Sequence, residues 1–64
     1  MYEKYAQLRD SEGVTDYKVA KDTGIPYTTF KDWGKGVYNP KVDKIQKLSV
    51  YFHVPLDYFY GTEQ

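Results

Sequence analysis

Side chains able to do acid, base or nucleophilic chemistry are scarce in this sequence. There is one histidine, His53, two serines, Ser11 and Ser49, and no cysteine. His53 has no acid-base partner beside it, and a histidine near the C-terminal end of a helix is explained by its favourable interaction with the helix dipole. Gly34-Lys35-Gly36 is too short to cradle a phosphate in the manner of a glycine-rich loop. The absence of cysteine removes disulfides and cysteine-based zinc sites, so no enzyme, cofactor or metal is expected. What remains is the chemistry of hydrogen bonding and charge. Between Lys31 and Lys47 stand five lysines (Lys31, Lys35, Lys41, Lys44 and Lys47) against two aspartates (Asp32 and Asp43). Such a stretch suits a polyanion, although lysines that merely solvate helix faces give the same pattern. Nine basic and nine acidic residues give a formal net charge of zero, which argues against indiscriminate affinity for nucleic acid or anionic lipid. Any such binding must come from local arrangement.

The 64 residues make one domain, 1–64. A chain of this size buries only about 60% of the surface its unfolded form exposes, so apolar packing has a thin margin. No apolar run approaches the ~20 residues that span a bilayer, and the opening MYEKYAQLRD lacks a signal-peptide core. A soluble, cytoplasmic protein is expected. From Tyr2 to Ser11, Tyr5, Ala6 and Leu8 fall at helical spacing, and Gly13 supplies a left-handed stop. Thr15 sits at an N-cap position before a second helix whose inner face is Val19 and Ala20, ended by Gly24. Pro26 presets a helical φ for a third helix carrying Phe30 and Trp33, closed by Gly34-Lys35-Gly36. Val37-Tyr38-Asn39-Pro40 reads as a loop, with Pro40 opening a fourth helix along the stripe Val42, Ile45, Leu48 and Phe52. Its outer face is Lys41, Lys44, Gln46 and Lys47. After His53 and Val54, Pro55 starts a last helix with Leu56 and Phe59 inward, and Gly61 to Gln64 reads as a frayed end. The fold class is therefore all-α, a compact five-helix bundle.

The informative unit runs from about 15 to 34. Two short helices crossing steeply through a turn of three or four residues need a small side chain where their backbones approach, which is Ala20. They need a positive-φ residue in the turn, which is Gly24. Apolar wedges at Val19, Ile25, Phe30 and Trp33 then fix the crossing angle so that the second helix projects from the surface. This is a helix-turn-helix.

With those residues in place the chain resembles the helix-turn-helix regulators of the phage repressor and Cro type, the lambda-repressor-like fold. The resemblance runs from Leu8-Arg9 through Gly13-Val14-Thr15, Val19-Ala20-Lys21, Gly24-Ile25, Phe30-Lys31-Asp32-Trp33, Gly36 and Asn39-Pro40 to Val54-Pro55-Leu56-Asp57-Tyr58-Phe59-Tyr60-Gly61. It implies a sequence-specific transcriptional regulator whose recognition helix, about 27–34, lies in the major groove of double-stranded DNA. On that resemblance, base readout falls to Tyr27, Thr28, Lys31 and Asp32. A Tyr27 hydroxyl can donate or accept while its ring packs on a thymine methyl, Thr28 does both in smaller form, and Asp32 accepts from a cytosine amino group. Phosphate contacts are implied for Thr15, Tyr17, Lys35, Tyr38, Asn39, Lys41 and Lys44, with Asp16 and Pro26 as further contacts.

Three departures from the family pattern bear on this assignment, one being Asp32, whose negative charge beside the groove weakens nonspecific binding and sharpens discrimination. Asp16 stands where the family usually has a glutamine on the DNA backbone; a carboxylate repels phosphate, and its other role is to favour the helix N-terminus. Gly34 stands where many members have a glutamate paired with the helix-one arginine, so Arg9 has either Asp32 or the carbonyls ending helix three as partners. In the first case Asp32 is lost to base reading. Eight tyrosines exceed what so small a core can hide. Tyr51, Tyr58 and Tyr60 fall where the family often forms a dimer contact, and they suit either that interface or a shell over the core. A weak homodimer, or a dimer formed on DNA, would read an inverted-repeat operator with half-sites ~34 to 36 Å apart. No small-molecule ligand and no membrane are expected as partners. The rival reading is an antitoxin or protein-interaction module on the same fold; it would expose large apolar groups, rather than Tyr27, Thr28 and Lys31, on helix three.

Overall fold

The structure, a computed structural model, describes residues 1–60, in which five helices follow one another: α1 (Tyr2–Glu12), α2 (Asp16–Thr23), α3 (Tyr27–Gly34), α4 (Val42–Phe52) and α5 (Leu56–Tyr60). There is no strand among the described residues. The predicted closing role of Gly61 and the frayed end at 61–64 lie outside the described residues.

Local chemistry sets the boundaries. The Thr15 hydroxyl accepts from the Lys18 N–H at 3.1 Å and caps α2. Gly24, at φ 81°, ends it. The turn is reinforced by a residue the sequence reading passed over. Thr23 Oγ1 donates to the Val19 carbonyl at 2.7 Å and accepts from the Ile25 N–H at 3.3 Å, so it closes one helix and ties down the approach to the next. In the predicted Gly34-Lys35-Gly36 stop, the left-handed residue is Gly36; Gly34 is still helical.

Tyr5 is the hub of the core. Fully buried, it stacks on Phe30 (centroids 5.1 Å apart) and Trp33 (5.3 Å) and meets Phe52 edge-on (6.2 Å). Val19, Ala20, Ile25, Ile45, Leu48 and Phe59 complete the cluster. All four predicted wedges are therefore inside, and their burial aims α3 outward from α2.

Two expectations about α4 are corrected. Pro40 does not open it; Pro40 is buried ahead of the helix, and Lys41, in the extended region, is the N-cap. Val42 is not on the inner stripe but 53% exposed, because the first residue of α4 lies at the rim, before the helix meets α2 and α5. Ile45, Leu48 and Phe52 are buried as predicted. The helix ends on His53, which takes the left-handed conformation (φ 60°) where glycine is commonest.

Candidate nucleic-acid interface

Helix α3 has two faces of opposite character. Thr29, Phe30 and Trp33 are buried, whereas Tyr27, Thr28, Lys31 and Asp32 are exposed. Proline at position 26 has no N–H to lose, and its carbonyl accepts from the Thr29 N–H at 3.0 Å, which starts the helix with Tyr27 at its very end. Pro26 is exposed beside it. The four predicted base-reading residues thus share one solvent-facing edge. Across the turn, Tyr17 on the first turn of α2 approaches Tyr27, ring centroids 6.3 Å apart and nearly perpendicular. Lys31 Nζ sits 5.6 Å from the centre of the Tyr27 ring.

The residues assigned to phosphates lie on three stretches of the chain: the start of α2, the loop from α3 to α4, and the first turn of α4. Thr15 and Tyr17 are exposed at the start of α2. Accepting from Lys18 leaves the Thr15 hydroxyl its own proton to donate. Lys35, Asn39 and Lys41 are exposed along the loop from α3 to α4, with Tyr38 in that loop and Lys44 in the first turn of α4 half-buried. Asp43, in the first turn of α4, is an acidic neighbour of that patch.

Asp16 is placed differently from a backbone contact. Its Oδ1 accepts from the Tyr5 hydroxyl at 2.5 Å and from Arg9 Nη1 at 3.0 Å. The physical reason is Tyr5: a phenol at the centre of the core must find an acceptor, and the first turn of α2 supplies it. Burial, and then the bond to Asp16, push the Tyr5 phenol well above the ordinary tyrosine range. Arg9 therefore takes neither of the partners expected from the sequence. Its Nη1 also donates to the Tyr2 hydroxyl at 3.3 Å and its Nε to Asp10 at 3.1 Å. The bond to the Tyr2 hydroxyl leads the contacts that hold the guanidinium still more firmly protonated, burial opposing them. Tyr2 in turn stands over Gly34, its hydroxyl 3.2 Å from where a Cβ would lie. Asp32 is thereby left exposed and independent of Arg9.

Of the three tyrosines assigned to a dimer contact, Tyr51 and Tyr58 are half-buried against the core and Tyr60 is exposed. Tyr51 donates to Asp22 Oδ2 at 2.7 Å, which Lys18 also approaches at 3.2 Å. Its hydrogen bond to Tyr51, then that from Lys18, holds the Asp22 carboxyl below its ordinary range, and the same bond holds the Tyr51 phenol above its own. No sequence signal marks this link, since 29 residues separate its ends. Lys4 Nζ lies 5.3 Å from the centre of the Tyr58 ring.

Among the described residues no group of three or more histidine, cysteine, aspartate or glutamate side chains could hold a metal ion, and no helix is long and apolar enough to cross a membrane. Comparison with protein families finds a match to the helix-turn-helix model over residues 6–59. No curated protein and no solved structure matches the chain. The family match covers all but the two ends of the chain, including the α2-turn-α3 unit and α5 up to Phe59. The chain belongs to the helix-turn-helix family of the Cro and repressor type, a family of DNA-binding regulators.

Proposed function

We propose that this domain is a transcriptional regulator that reads a specific duplex sequence with α3 in the major groove. The observation that carries the reading is the two-faced α3: its apolar side is locked into the core while Tyr27, Thr28, Lys31 and Asp32 stand together in solvent. Each presents hydrogen-bonding groups suited to base edges. Asp32, free of Arg9, accepts from cytosine and disfavours indiscriminate binding. Lys35, Asn39, Lys41 and Lys44, with the Thr15 hydroxyl and Tyr38, hold the phosphates on either side. Pro26 adds apolar contact at the groove edge. Asp16, turned inward to Arg9, is not assigned a phosphate. Two copies bind an inverted repeat with recognition helices ~34 to 36 Å apart, with Tyr51, Tyr58 and Tyr60 as the residues assigned to the contact between them.

Selection of binding sites from a random duplex pool at low salt tests this. The expected product is an inverted repeat with half-sites one helical turn apart. On it, Tyr27→Ala relaxes the preference at particular base pairs, whereas Lys44→Ala weakens all sequences alike and lowers the salt slope by about one. A pool that shows no enrichment, with affinity indifferent to Tyr27, would place the domain among protein-interaction modules.

A further inference from the structure

We propose that Tyr17 is a positioning residue for base readout, fixing the orientation of the Tyr27 ring instead of donating to a phosphate. The proposal rests on the reading of α3 as the base-reading helix and adds to it a residue from α2.

The geometry is a three-part stack built across the turn. Tyr17 lies on the first turn of α2 and Tyr27 begins α3, and their rings meet at 6.3 Å with an interplanar angle of 69°, the edge-to-face arrangement that aromatic quadrupoles favour. Lys31, one turn further along α3, places its ammonium 5.6 Å from the centre of the same Tyr27 ring. These are surface contacts. Tyr17 is 66% exposed and Tyr27 44%, and neither belongs to the buried cluster beneath. The pair therefore contributes little to holding α2 on α3, which Val19, Ile25 and Phe30 already do.

What the pair does control is the freedom of one side chain. A tyrosine on the outer face of the first residue of a helix has more than one staggered position open to it. With a ring against it and a cation over it, Tyr27 is held in one arrangement before any duplex arrives. Ordering a side chain in advance removes that cost from binding, and it sharpens discrimination because a ring that cannot swing aside cannot accommodate the wrong base edge.

The hydroxyl separates the two roles for Tyr17. A phosphate donor needs it; a positioning ring does not. On the selected operator and its single-base variants, Tyr17→Phe is expected to leave affinity and preference unchanged. Tyr17→Ala is expected to lower discrimination at the base pairs read by Tyr27 by about three- to tenfold in the wild-type chain, and to cause no further loss in a Tyr27→Ala background. In the free protein, nuclear Overhauser contacts between the two rings and a ring-current shift of the Tyr27 ring protons are expected in wild type and Tyr17→Phe, and lost in Tyr17→Ala. A Tyr17→Phe variant weakened on every sequence alike assigns Tyr17 to phosphate and overturns the proposal. So does Tyr17→Ala with discrimination intact while Tyr27→Ala relaxes it, which leaves the reading of α3 standing. Failure to enrich any duplex sequence removes that reading, and the role of Tyr17 with it.

Discussion

At the scale of single residues the decisive group is the hydroxyl of Tyr5. A phenylalanine would fill the same volume among Phe30, Trp33 and Phe52, but tyrosine brings a polar atom that burial makes expensive unless it is bonded. Asp16 answers it, and Arg9 then answers Asp16. The carboxylate, at a position the family uses on the DNA backbone, belongs to a part-buried network at the start of α2. Asp16→Ala deprives Tyr5 of its acceptor and Arg9 of one of its three, and should destabilise the domain by about 1 to 3 kcal/mol, the cost of leaving a buried donor unmatched. Asp16→Asn keeps an oxygen for the phenol and should cost about 1 kcal/mol or less. Both variants lose the charge at the α2 N-terminus, so their difference isolates the hydrogen bonds. Urea unfolding measures it, and equal stability of the two variants would contradict this account.

At the scale of elements, the α1 to α3 contact replaces an ion pair with an aromatic one. Tyr2 packs edge-on against Trp33 at 5.5 Å and bonds Arg9, and it has room to do so because position 34 carries no side chain. A glycine inside a helix is ordinarily a weakness of about 0.5 to 1 kcal/mol relative to alanine. Here a methyl group would press on the Tyr2 hydroxyl and Cζ, at 3.2 and 3.3 Å. Gly34→Ala should therefore change stability little in the wild-type chain, the helical gain offsetting the displaced Tyr2. In a Tyr2→Ala background the same substitution should stabilise by about 0.5 to 1 kcal/mol. Thermal unfolding of the four proteins closes the cycle, and an identical effect of Gly34→Ala in both backgrounds would mean that Tyr2 does not hold this space.

Helix order, the turn at Gly24 and the inward wedges were legible in the sequence because each is a local signal: a cap, a stop or an apolar period. So was the outward edge of α3, the complement of Phe30 and Trp33. The placement of Arg9, Asp16 and Tyr51 was not, because each depends on which side chains of other helices arrive at the same point, a matter of packing that no local signal encodes. Val42 shows the limit of periodicity itself. It has the spacing of a core residue, yet at the first residue of α4 it is left 53% exposed.

At the scale of the whole molecule, proton linkage ties the core to alkaline pH. Unfolded tyrosines ionise near pH 10. Tyr5, held above that range first by burial and then by its bond to Asp16, keeps its proton in the fold, as Tyr51 does to a lesser degree through Asp22. Above about pH 10 the native state therefore binds more protons than the unfolded one, and stability falls as pH rises. The contribution is fully present below that pH and lost above it. At the acid end the direction reverses for Asp22, whose lowered carboxyl adds stability above about pH 4 that disappears as pH falls further. Because Asp22 lies open to solvent, that acid effect should be the smaller one. Tyr5→Phe tests the alkaline case, since lysines titrating over the same range are common to both proteins. At pH 7 the variant should be less stable by about 1 kcal/mol, for the lost hydrogen bond to Asp16. Between pH 9 and 11, in chemical unfolding, it should lose stability less steeply than wild type, so that the gap narrows. Parallel pH profiles would mean that the alkaline loss arises elsewhere and that the Tyr5 phenol ionises as readily inside the fold as outside it.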